Sequence, residues 1–262
     1  MDKNSVRKIV ATFGGRSYDA TIKLTVERAK DYGADEVLVF DDKWLINHPF
    51  HSVNRWIFEA KSRIQDEPTV YQHGMGWCSW KSAIINYSFD RCADTDVVLY
   101  LDADTFPVAP FGQLFDRCAE EGGVLIFAEQ ASNLRFTRAD CMVVMGLPVA
   151  DGPHACGRFS LWQKGSFLAR QMLAEWWAYS INPHCTLWGR STIVKDPPEY
   201  YRNSTEQSVL SNLGIKYKLP FHRTPDQFGA EQPGDEWYPQ LFEQQWCTGD
   251  RSDLSGSAYR NV

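Results

Sequence analysis

Long apolar runs are missing from this sequence: none approaches the about 18 residues that a membrane-spanning helix needs, so no integral membrane segment is expected. The start, MDKNSVRKIVATF, shows no apolar stretch ahead of a small-residue cleavage site, so no secretory signal is expected either. Internal repeats, low-complexity tracts and linkers rich in Gly, Ser or Pro are absent too. A chain of 262 residues, 44% of them hydrophobic, can then bury one large core. The expectation is a single soluble domain over 1–262, acting in the cytosol of a cell or of an infected host.

The seven cysteines are an odd number and include no C-x-x-C pair, which argues against both a disulfide framework and a structural zinc site. Positive charge is not in excess: 27 basic residues face 33 acidic ones, a net charge of −6. Nucleic acid is therefore excluded as an expected partner. Any phosphate would have to be met locally, by a metal or by a few placed cations. Oligomeric state is not legible.

What is present is an alternation of short apolar strands with amphipathic segments. Arg7–Phe13 (RKIVATF) predicts a first strand, followed by the Gly14-Gly15 turn. Ile22, Val26 and Ala29 predict a helix over Asp19–Tyr32, stopped by Gly33. Glu36–Phe40 (EVLVF) predicts a second strand. Helical spacing recurs over 53–64 and 80–87, a strand follows at 97–101, then a short helix near 112–120 and a strand at 123–128. Beyond 130 the pattern loosens: a strand is expected at 141–145, helices at 166–179 and 205–213, and an irregular tail from about 215. This order predicts an α/β, doubly wound, mostly parallel sheet flanked by helices, with a more irregular C-terminal half.

In such sheets ligands bind outside the carboxyl ends of the strands. Thr12-Phe13, Asp41-Asp42 and Asp102-Ala103-Asp104 all fall there. The last follows the apolar run VVLYL directly. Two carboxylates one residue apart in an extended turn can hold one hard cation, which then draws further oxygen ligands from a substrate phosphate.

Three families place aspartates after a strand in this way. The D-x-D-x-T of haloacid-dehalogenase-like phosphatases fails here, since Thr105 comes one place early and the motif is not on the first strand. FGGRS at 13–17 only partly resembles the Gly-rich loop of sugar-nucleotide pyrophosphorylases. The chain resembles GT-A-fold glycosyltransferases that build polysaccharides, in two ordered segments. HGMGWCSWKSAIINYSFDRCADTDVVLYLDAD (73–104) is similar to their G-x-G-x-x-x-W-K-P-x-x-I and Y-L-D-A pattern. YYRNSTEQSVLSNLGIKYKLPFHRTPDQFG (200–229) is similar to their H-R-x-D-Q-S-x-x-S segment and the closing R-D-P-S-Q-F-G. Ser82 departs from the pattern's Pro and Glu206 from its Asp, while Asn203 and Ser204 dilute its basic cluster.

The resemblance implies a hexosyl- or pentosyltransferase with a nucleotide-binding half near 1–130 and an acceptor and catalytic half near 131–262. It implies a nucleotide-diphosphate sugar donor, a UDP-sugar first, a glycan or other hydroxyl acceptor, and Mn²⁺ or Mg²⁺ on Asp102 and Asp104. Donor-binding expectations are Thr12, Phe13, Tyr18, Asp41, Trp80, Lys81, Asp102, Ala103 and Asp104. Retaining members commonly take a third metal ligand from a C-terminal histidine. Residues 241–250 contain none, which leaves His222. Catalytic expectations are Lys81, Glu206 and Gln207. With retention, Glu206 holds the donor sugar and Gln207 faces its anomeric carbon; with inversion, Glu206 is the general base. STEQ at 204–207 also has the form of a helix-capping box. Among ten tryptophans, Trp188 and Trp237 are the expected stacking faces for an acceptor sugar. The alternatives are a sugar-nucleotide nucleotidylyltransferase and a non-catalytic carbohydrate-binding protein on a transferase scaffold.

Overall fold

The computed structural model describes residues 6–15, 18–64, 68–70, 75–229 and 238–245. The elements run β1 (Lys8–Phe13), α1 (Asp19–Asp31), β2 (Glu36–Phe40), α2 (Asp42–Asn47), α3 (Pro49–Val53), α4 (Arg55–Glu59), α5 (Lys81–Phe89), β3 (Val97–Asp102) and β4 (Thr105–Pro107). They continue with α6 (Gly112–Glu120), β5 (Val124–Ser132), α7 (Asn133–Phe136), α8 (Ala139–Val144), β6 (Pro153–Ala155) and β7 (Phe159–Gln163). The last are α9 (Phe167–Ser180), α10 (Pro183–Thr186), α11 (Glu206–Lys216), β8 (Phe221–Arg223) and β9 (Phe242–Gln244).

A seven-stranded sheet has the order β2-β1-β3-β7-β5-β6, with β8 on the other side of β5. β2, β1 and β3 are mutually parallel, and β7 runs against both β3 and β5, so β5 points the same way as β3. β8 is parallel to β5 and β6 antiparallel to it. Most strands therefore share one direction, and the architecture is the expected α/β one, a mostly parallel sheet flanked by helices. Within this mostly parallel sheet β7 enters the middle reversed.

Alternation along β3 sorts the core into two layers. Val98 and Tyr100 face α5 and α9, with Trp80, Ile84, Trp162 and Trp176. Val97, Leu99 and Leu101 face α6, with Val10, Phe115 and Phe159. Period two then puts Asp102 on the Tyr100 side. The register aligns the strand ends: Phe13 lies opposite both Phe40 and Asp102.

Other expectations are corrected. The apolar stripe over 53–64 is not one helix: Val53 ends α3, Asn54 separates it from α4, and the chain leaves helical geometry at Ala60. Residues 141–144 belong to helix α8, with Met145 as its C-cap, and form no strand. Asp140, at its start, is fully buried and accepts backbone N–H bonds from Thr192, Ile193 and Val194. The stretch after 215 supplies two strands, β8 and β9, the second pairing β4 beside the Asp102–Asp104 turn. Among the described residues no helix is long and apolar enough to cross a membrane.

Candidate active site

The first residues of two helices meet the end of β3. Lys81 opens α5 and Glu206 opens α11. Lys81 Nζ lies 3.1 Å from Asp102 Oδ1 and 3.1 Å from Glu206 Oε1, and donates to the Gly157 carbonyl at 2.8 Å. It also stands 5.1 Å from the centre of the Tyr100 ring. Burial works against the lysine's charge, but Asp102, Tyr100 and Glu206 outweigh it and hold its pKa well above the usual range. A buried cation with this many partners is satisfied.

Asp102 accepts from the Tyr100 hydroxyl at 2.6 Å, and its backbone N–H donates to the Arg158 carbonyl at 2.8 Å. Asp102 and Asp104 are both half-buried. Burial, and then the neighbouring Asp102 charge, push the Asp104 carboxyl up to about 6, with Gln244, Arg158 and Lys81 pulling it back. Two close carboxylates without enough positive charge are what a divalent cation would relieve. Among the described residues no group of three or more His, Cys, Asp or Glu can hold a metal ion. The residues fit a cation held by two carboxylates that completes its shell elsewhere.

Around Glu206 the backbone is special. Thr205, immediately before α11, has φ +55°, a costly conformation for a β-branched residue that persists only where its surroundings enforce it. Its hydroxyl donates to Glu206 Oε2, so it does not cap α11 and the expected capping box is not formed. Trp176 Nε1 donates to the Glu206 carbonyl at 3.0 Å. Burial lifts the Glu206 carboxyl above its usual range against the pull of Lys81 and Thr205. Gln207 Nε2 is buried with no partner among the described residues. Gly157 lies against this pair: a Cβ there would stand 3.3 Å from Glu206 Oε1 and 3.3 Å from Gln207 Oε1.

The structure thus brings Lys81, Asp102 and Glu206 together, with Asp104 beside Asp102 and Gln207 beside Glu206. Other expected residues stand differently. Phe13 and Trp80 pack on each other, ring centres 4.0 Å apart, and both are buried. Thr12 and Ala103 are buried as well, and the Ala103 carbonyl accepts from Thr25. Tyr18 is exposed before α1, and Asp41 caps α2 by accepting from Trp44 N at 2.7 Å. His222 is corrected as a metal ligand, because its Nε2 lies 2.7 Å from Glu121 Oε2, away from the aspartates. Trp188 is corrected as an open stacking face: it is buried against Trp77, 5.3 Å between ring centres, with Ile57 and Ile64. Trp237 lies outside the described residues.

Sequence reasoning missed Tyr100, Gly157, Arg158, Thr205 and Gln244. Only Tyr100 had a signal, since it lies two positions from Asp102 on one strand. Arg158 pairs with Glu129 and Asp226, each at 2.7 Å, and nothing local in the sequence announces that.

The sequence matches no family model and no curated protein. Among solved structures, the glycosyltransferase GlyE of Streptococcus pneumoniae TIGR4 is similar over 95% of this chain and 57% of its own, at 12% identity and a TM-score of 0.48. The present chain spans little more than half of that protein. Mouse xyloside xylosyltransferase 1 is similar over 93% of this chain and 99% of its own, at 10% identity and a TM-score of 0.48. The bifunctional glycosyltransferase WbbM is similar over 86% of this chain and 40% of its own, at 10% identity and a TM-score of 0.47. At these values the likeness reaches the outline of the chain and no residue of its site.

Proposed function

We propose that this chain is a metal-dependent glycosyltransferase that moves a sugar from a nucleotide-diphosphate sugar to a glycan or other hydroxyl acceptor, with retention of configuration. A UDP-sugar is the first donor to test, on the sequence resemblance alone. One observation carries the proposal: the Asp102–Asp104 pair, Lys81 and the Glu206–Gln207 pair share one place at the carboxyl edge of the sheet.

Asp102 and Asp104 would hold the Mn²⁺ or Mg²⁺, which when bound neutralises the departing diphosphate. Lys81 fixes Asp102 and Glu206 relative to each other. Tyr100 fixes the Asp102 oxygen that faces it. Glu206 has one oxygen on Lys81 and the other on Thr205, which suits it to orienting donor hydroxyls better than to abstracting a proton. Beside it the Gln207 Nε2, without a partner among the described residues, suits the reacting face of the donor. Tyr18, just before α1, and Asp41, just after β2, are the residues that would meet the base and ribose.

The test is a panel of nucleotide sugars with Mn²⁺, read by thermal shift and then by transfer or donor hydrolysis. A ligand at a hundred times its Kd stabilises a fold by about 2.7 kcal/mol, a readable shift. Stabilisation by one donor with Mn²⁺, followed by metal-dependent turnover, is expected. Pyrophosphate release from a nucleoside triphosphate and a sugar phosphate would replace the reading with nucleotidyl transfer. Glycan binding without turnover would leave a binding protein.

A further inference from the structure

Gln244 closes β9, the strand that β4 holds against the Asp102–Asp104 turn. It is 7% exposed, and the two ends of its side-chain amide are treated differently. Nε2 donates to Asp104 Oδ2 at 3.3 Å. Oε1 is buried and has no partner among the described residues. A buried carbonyl oxygen without a donor or a cation is costly, and such groups are rare in folded proteins.

The position is built. The Gln227 side chain serves the Gln244 backbone as a strand partner would, accepting from its N–H at 3.0 Å and donating to its carbonyl at 2.9 Å. The next residue, Gln245, donates its N–H to the Asp104 carbonyl at 2.9 Å. Three bonds thus lock the backbone from which the Gln244 amide reaches Asp104.

We propose that Gln244 is a third protein ligand of the divalent cation at Asp102 and Asp104, bound through its carbonyl oxygen. The inference rests on the metal site of the proposed function. Hard divalent cations take amide carbonyl oxygens together with carboxylates, and neighbouring ligands of an octahedral ion at about 2.1 Å stand about 3 Å apart. The 3.3 Å between the Gln244 amide and Asp104 is close to that edge. Half a turn about the last side-chain torsion exchanges the amide nitrogen and oxygen in place. Without a cation the NH₂ group faces the carboxylate. With one, the oxygen faces the cation, and the NH₂ group takes the place that Oε1 now holds. Two carboxylates and one neutral oxygen leave the remaining positions open to diphosphate oxygens.

The test measures free Mn²⁺ by electron paramagnetic resonance, with MnCl₂ alone and the full chain. It uses wild type, Asp104→Asn, Gln244→Met and Gln244→Glu, with metal-free melting curves confirming each fold. Gln244→Met keeps the volume and removes the oxygen, and is expected to weaken Mn²⁺ binding about tenfold or more. Gln244→Glu keeps an oxygen and is expected to bind at least as tightly as wild type. It also decides the matter if the Met variant does not fold. A residue that only positions Asp104 predicts the opposite, because a glutamate there repels Asp104 instead of donating to it. Weakened binding in Gln244→Glu, or binding within twofold of wild type in Gln244→Met, overturns the inference while Asp104→Asn still loses the metal. Absence of Mn²⁺ binding in wild type would remove the site and its third ligand together.

Discussion

Lys81 Nζ stands 3.1 Å from Glu206 Oε1, so the starts of α5 and α11 are joined by one buried ion pair. The same ammonium is 3.1 Å from Asp102 Oδ1, which ties both helices to the strand that ends on two carboxylates. Lys81 and Glu206 side chains are each 6% exposed, so solvent does little to screen the contact.

Removing that cation leaves Asp102 and Glu206 facing each other without compensation. Lys81→Met is expected to destabilise the fold by about 3–5 kcal/mol, the range for breaking one side of a buried pair. The double variant Lys81→Met/Glu206→Gln should recover part of this, since it deletes both charges of the pair. Urea unfolding of the two variants checks it. A loss below about 1 kcal/mol in the single variant would show that the pair contributes no more than a surface contact.

A second expectation concerns acid stability. His154 is fully buried on β6, its Nδ1 near Asn133 and Ser211 and its Nε2 without a partner among the described residues. Burial first, and then the Arg202 charge, push its pKa down to about 3. An unfolded histidine titrates near 6.5. Between those values the unfolded chain binds the extra proton, so stability from this residue is complete above about 6.5 and falls as pH drops. From pH 7 to pH 5 its share of the loss is about 2 kcal/mol, at 1.36 kcal/mol per unit. Unfolding midpoints of wild type and His154→Gln at both pH values should therefore converge on acidification. Parallel pH dependence of the two proteins would refute it.

The sheet edge was legible because β1, β2 and β3 are apolar runs that stop on polar residues, and hydrophobic burial leaves few other ways to fold such runs. Asp102 and Asp104 could be singled out for the same reason. The reversed strand β7 was not legible. Phe159 and Leu161 face one core layer while Trp162 faces the other, so FSLWQ shows no half-exposed alternation. Helix α8 was misread because Cys141–Met145 is apolar and partly β-branched, while tertiary bonds to Asp140 set its conformation. The role of Gln244 rests on a long return of the chain, which local pattern does not reveal.

The proposed retention of configuration makes a prediction about Glu206 and Gln207. With both oxygens engaged, Glu206→Gln should lose much activity yet leave measurable turnover, and Gln207→Ala should be damaged to a similar degree. Proton NMR of the first product formed should show the donor's own anomeric configuration. An inverted product together with a nearly silent Gln207→Ala would make Glu206 the general base instead.

The metal site itself is tested most directly by calorimetric titration of UDP into wild type, Asp102→Asn and Asp104→Asn, with and without Mn²⁺. Each substitution removes a ligand charge with almost no change in volume. Wild type is expected to bind UDP in a Mn²⁺-dependent way. Both variants should lose about a hundredfold in affinity while melting normally without metal. UDP binding in Mn²⁺ by both variants at wild-type strength would contradict the assignment of Asp102 and Asp104 as the metal ligands.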